Sequence, residues 1–183
     1  MTNRMQLGAI AGGLVCGLLI LANTSADESD GAEAADIEID ADSFRCLTDM
    51  TPVRHFYVDN LLGDLDATLA VANSPDGGVY PPGSVVQLVP SEVMVKHRPG
   101  WNAATRDWEF FELDVSAEGS AIKARGFVDV VNSSGGNCFG CHVQAKPQWD
   151  LICEKDHGCA PVGVTPEQIL AIQQADPRCA DAE

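Results

Sequence analysis

Apolar residues along this chain fall into two successive periods. Between residues 58 and 72, Val58, Leu61, Leu62, Leu65, Leu69 and Ala72 recur at helical spacing. That spacing predicts an amphipathic helix, ended by the turn-forming run Asn73-Ser74-Pro75-Asp76-Gly77-Gly78. After Pro81-Pro82-Gly83 the character changes to short β-rich runs at 84–89, 92–98, 107–115 and 121–130, separated by Pro90-Ser91, Pro99-Gly100 and Glu118-Gly119. Short links between neighbouring runs predict an antiparallel meander. A short helix is expected at about 138–145. A last one starts at Thr165-Pro166-Glu167, where proline suits the first helical position, and stops by Asp176-Pro177.

The N-terminal pattern is different in kind. Arg4 precedes an uncharged apolar run over 5–22, and Thr24-Ser25-Ala26 offers small residues for cleavage, so residues 1–26 read as an export signal. The run is also long enough to cross a bilayer, and a retained anchor, the only route to membrane association, is the alternative expectation. Cys16 lies inside that run behind Val15, which is not the small residue a lipidated cysteine needs, and is expected to leave with the signal. Residues 27–42 carry Asp27, Glu28, Asp30, Glu33, Asp36, Glu38, Asp40 and Asp42, and are expected to form a disordered acidic tether. Residues 43–183 suffice for one domain with its own core.

Charge narrows the partners. With 27 acidic against 11 basic side chains the net charge is −16, and loss of Arg4 with the signal makes the remainder more negative still. Such a surface disfavours nucleic acid and anionic lipid heads and suits a basic redox protein, plain solubility being the simpler reason for it.

The chemistry concentrates at Cys138-Phe139-Gly140-Cys141-His142, a Cys-x-x-Cys-His pentapeptide. Two thiols on one helical turn can each form a thioether with a haem vinyl group, and the adjacent histidine then reaches the iron. One covalent haem c is expected, held by Cys138 and Cys141 with His142 as iron ligand. A redox dithiol, a structural disulfide and half of a zinc site compete with this reading. The dithiol normally opens the helix of a βαβ unit, and no buried parallel strand precedes Ser133-Ser134-Gly135-Gly136-Asn137. Zinc would have to draw its remaining ligands from Cys153, Cys159 and His157. Cys46, Cys153, Cys159 and Cys179 are not used by haem, and in an exported chain they are expected to form two disulfides, preferably Cys153 with Cys159 and Cys46 with Cys179.

All 4 methionines precede the pentapeptide, whereas small electron-transfer cytochromes place it near the N-terminus and supply a methionine from downstream. A C-terminal motif resembles the gas-binding cytochromes c′, but residues 84–130 do not read as their helical bundle. Between Tyr80 and Cys153 the chain is similar to the β-rich family of cytochrome P-460 and cytochrome c′-beta. Pro82-Gly83-Ser84-Val85-Val86 resembles its first strand, Glu92-Val93-Met94-Val95-Lys96 its Glu-x-x-Val-Lys strand, Asp107-Trp108-Glu109-Phe110-Phe111 its aromatic strand, and His142 to Ile152 its tail. The resemblance implies an α+β fold, an antiparallel sheet with helices packed across it and the haem-attachment helix toward the C-terminus. It also implies pairing into a homodimer.

In the family's catalytic branch a lysine on the first strand is linked to the haem edge. Leu88 stands at that position here and cannot make the link, while the branch's distal carboxylate is matched by Glu92. Leu88 is thus expected against the haem, and Glu92 as a distal acid or base, its alternative being a solvated turn residue. Met94, His55, His97 and His157 are candidates for a sixth iron ligand, each with a simpler structural reading. Trp101, Trp108, Phe110 and Phe111 are expected in the core or the haem wall.

Three functions stand against one another. An open iron site would bind nitric oxide or a similar diatomic or nitrogenous ligand, as Leu88 favours. An oxidoreductase would convert hydroxylamine or nitric oxide, as Glu92 favours and the missing lysine disfavours. An electron carrier would need a sixth protein ligand.

Overall fold

The computed structural model describes residues 36–179. The expected export signal, 1–26, and the start of the acidic tether lie outside them.

Six strands form one antiparallel sheet whose spatial order follows the chain: β1 (Thr51–Val53), β2 (Phe56–Asn60), β3 (Ser84–Val89), β4 (Glu92–Lys96), β5 (Trp108–Ser116) and β6 (Gly119–Gly126). Helix α1 (Leu65–Ala72) interrupts the meander between β2 and β3, α2 (Cys138–His142) follows it, and α3 (Pro166–Gln174) closes the fold. The expected α+β architecture is present, and each of the four β-rich runs contains most of a strand.

Register sorts the side chains onto two faces. Val58, Val86, Met94, Phe110 and Gly126 are successive cross-strand partners and share one face. Phe56, Trp108, Tyr80, Leu151 and Ile152 complete the core there. Val85, Val93, Val95, Phe111 and Leu113 point the other way and pack against Ile37, Ile39, Phe44, Leu47 and Met50. Because both faces are covered, β3 to β5 contain nearly unbroken buried runs, which is why they stood out in the sequence.

Three expectations need correction. The helix expected from residue 58 starts at Leu65: Phe56, Val58 and Asn60 alternate into the core as β2, Gly63 turns the chain at φ +83°, and Asp64 caps α1 by accepting from Ala67 N–H at 3.4 Å. The strand expected over 121–130 is displaced to Gly119–Gly126. The described end of the acidic stretch is not a free tether. Ile37 and Ile39 are buried while Asp36, Glu38 and Asp40 face solvent, a two-residue alternation laid on the sheet.

Disulfides join Cys46 to Cys179 and Cys153 to Cys159, as expected. The first ties the segment before β1 to the chain that follows α3, where the Asp176 carboxylate also accepts from Leu47 N–H at 2.9 Å. Among the described residues no helix is long and apolar enough to cross a membrane.

Candidate functional site

Helix α2 is short and depends on its cap. Asn137 Oδ1 accepts from Gly140 N–H at 2.6 Å, while its Nδ2 donates to Val128 O at 2.7 Å, so one side chain both starts the helix and ties it to the segment leaving β6. A Cβ at position 140 would come within 3.2 Å of that Asn137 oxygen, so glycine there keeps the cap close. Phe139 anchors the turn to the sheet through Phe110 and Phe127, at ring distances of 6.1 and 5.7 Å.

Cys138 and Cys141 are free thiols, each partly exposed. Burial pushes the Cys138 thiol up to about 11, and the nearby Glu92 and Glu112 carboxylates add to the effect. A thiol so disfavoured as thiolate is a poor redox nucleophile, which weakens the dithiol reading. The zinc reading loses its ligands as well. Cys153 and Cys159 are bonded to each other, and His157 holds Ile152 O against its Nδ1 at 2.8 Å while stacking on Trp149.

His142 is held on two sides. Its ring meets Phe110 edge-on at 5.3 Å, and its Nδ1 lies 2.7 Å from Leu151 O. A carbonyl only accepts, so Nδ1 carries the proton and Nε2 keeps its lone pair. Burial lowers the imidazole's proton affinity, with the Leu151 bond opposing it, so the ring is a neutral donor.

These groups open onto a cleft of about 900 Å³, its solvent-facing mouth included, on the α2 side of the sheet. Val86, Leu88, Met94 and Phe110 form its apolar wall, and Glu92 is its acidic group. Leu88 sits at the irregularity where pairing of β3 with β4 shifts between Gln87 and Val89, and its carbonyl accepts from Gln173 Nε2 of α3 at 2.8 Å. Glu92 is half-buried and its Oε1 accepts from Ser133 N–H at 3.1 Å, drawing the loop before α2 toward the cleft. The structure therefore brings Leu88, Glu92, Cys138, Cys141 and His142 together.

It also separates the other candidates. Met94 and His55 line the cleft. His97 does not: it is buried beside Glu109 at 2.8 Å and stacks on Trp101 at 4.1 Å, which takes Trp101 out of any haem wall. Trp108 is a fully buried core residue; Phe111 borders the cleft, while its ring packs on Phe44. Sequence reasoning missed Asn137, Ser133 and Leu151. Asparagine directly before the pentapeptide was a readable cap signal; the other two act through backbone atoms, which leave no residue-type signature.

The residues present fit a covalent haem c: two free thiols on one turn, an imidazole with a lone pair at Nε2, and a mainly apolar cleft beside them. Comparison of the chain with protein-family models, with curated proteins and with solved structures gives no match.

Proposed function

We propose that this chain is an exported mono-haem c-type cytochrome of the P-460 and c′-beta kind, holding haem through Cys138 and Cys141 with His142 on the iron, and binding nitric oxide or a similar small ligand on the other side. The observation that carries this reading is the state of His142: Leu151 O takes up Nδ1, so Nε2 is the donor offered beside two free thiols. When bound, haem supplies an iron that takes a small ligand and exchanges one electron.

The chain's own part is placement and exclusion. Val86, Leu88, Met94 and Phe110 keep the cleft apolar, which disfavours water and charged ligands and suits a diatomic molecule. Four cysteines paired as two disulfides support an oxidising compartment outside the cytoplasm, where thioether attachment also belongs. The net charge of −16 suits a basic redox partner. Pairing into a homodimer follows from the family resemblance alone.

Glu92 on the cleft favours a second reading, turnover of hydroxylamine or nitric oxide with Glu92 moving protons; Leu88 in place of the linking lysine counts against it. Met94 on the cleft favours a third, electron transfer with a sulfur ligand. Optical spectra of the ferric and ferrous protein, with and without nitric oxide, separate them. High-spin iron that takes up the gas, with no oxidation of hydroxylamine, is the expected result. Turnover lost in Glu92→Ala with haem retained would favour the second reading, and a low-spin spectrum unmoved by nitric oxide the third.

A further inference from the structure

Lys96 and Asp150 form an ion pair inside the protein, 4 % and 2 % exposed. Lys96 Nζ donates to both carboxylate oxygens, at 3.0 and 2.8 Å, and to Arg106 O at 2.6 Å, and lies 5.1 Å from the centre of the Trp108 ring. Asp150 Oδ2 also accepts from Tyr80 N–H at 2.9 Å. The pair is thus well satisfied, yet a buried ion pair gives little net stability over apolar residues of similar size. What it does fix is backbone. Asp150 and Leu151 are consecutive left-handed residues, φ +48° and +68°, a conformation that L side chains adopt at a cost and keep only when neighbours hold them there.

Those two residues set the direction of the Leu151 carbonyl, the acceptor for His142 Nδ1. The next carbonyl, that of Ile152, meets His157 Nδ1, and the Cys153–Cys159 disulfide follows at once. The segment 150–153 is therefore pinned by side chains at its start and by a covalent link at its end.

We propose that the Lys96–Asp150 pair is the positioning device for His142: it holds the 150–151 backbone so that the Leu151 carbonyl draws on the Nδ1 proton and strengthens Nε2 as a donor. The inference rests on the reading of His142 as the haem ligand. A firmer bond at Nδ1 makes the imidazole more basic, favours oxidised iron and lowers the reduction potential.

The test uses the full exported chain carrying Lys96→Met with Asp150→Asn, a change that leaves net charge unaltered. Covalent haem content, the iron–histidine stretching frequency of the ferrous protein by resonance Raman, and the reduction potential are measured beside the parent. The expected result is retained covalent haem, a stretching frequency shifted down and a potential shifted up. Retained haem with both values unmoved overturns the inference, even where the unfolding midpoint falls, since a merely structural pair would change only the midpoint. Should the double variant fail to accumulate, Asp150→Asn alone, which keeps an oxygen for Tyr80 N–H and Lys96, decides the matter: shifts of the same sign support the inference and unchanged values overturn it. A parent chain without covalent haem overturns the reading of His142 itself and the pair's role with it, an outcome distinct from the others.

Discussion

The Nδ1 of His142 and the carbonyl oxygen of Leu151 stand 2.7 Å apart, nine residues along the chain and on opposite sides of the turn that closes α2. This contact decides which ring nitrogen can act as a donor. Nitrogen NMR of the unloaded chain at neutral pH is expected to show His142 as the Nδ1–H tautomer. Observation of a proton on Nε2 would remove the donor on which the site depends.

Cys138 is raised to about 11 by burial first and by the charges of Glu92 and Glu112 second. Removing one of those charges makes the thiolate less unfavourable. Glu92→Gln in the unloaded chain is therefore expected to speed alkylation of Cys138 near pH 9 by a few-fold, with amide exchange at Ser133 also faster because its acceptor is weakened. An unchanged alkylation rate would mean that Glu92 does not act on the site.

The two disulfides close loops of very different length, with sequence separations of 133 and 6. In the chain-entropy account the stabilisation grows with the logarithm of the loop, to about 5 kcal/mol for the long one and about 2 kcal/mol for the short one. Replacing Cys46 and Cys179 with alanine should lower the unfolding free energy more than replacing Cys153 and Cys159. Urea titrations of the two double variants check the order.

Acid should destabilise the protein through Glu109 and Asp176. Burial alone would raise the Glu109 carboxyl, but hydrogen bonds from His97 and Arg125 outweigh it and hold the group below its ordinary value of 4.5. Burial would likewise raise Asp176, and there Arg178 and the Leu47 N–H prevail. The unfolded chain then binds protons at higher pH than the folded one. The stabilisation is complete above the unfolded value and is lost as pH falls through the depressed folded value. Urea midpoints should drop from about pH 5 to pH 3, and less steeply in Glu109→Gln.

What the sequence made legible follows from how each element is buried. Strands β3 to β5 carry apolar residues on both faces and announced themselves as runs. β2 did not, because Val58 also fits helical spacing with Leu61, Leu62 and Leu65. Asn60, a poor strand signal, is buried through bonds of its side chain to Thr68 Oγ1 at 3.0 Å and Pro82 O at 3.1 Å. The pentapeptide drew attention to the cleft, and the hairpin between β3 and β4 places Leu88 and Glu92 on its lining. The Lys96–Asp150 pair was invisible, since nothing in either residue type tells that 54 positions away lies its buried partner.

Covalent haem is the central claim, and mass spectrometry of the exported protein expressed with a haem-attachment system tests it most directly. The expected result is the chain mass plus one haem, with the haem resisting acid–acetone extraction, and complete loss of that adduct when Cys138 and Cys141 are both replaced by serine. A parent protein of bare polypeptide mass, or an adduct that survives the double substitution, would contradict it.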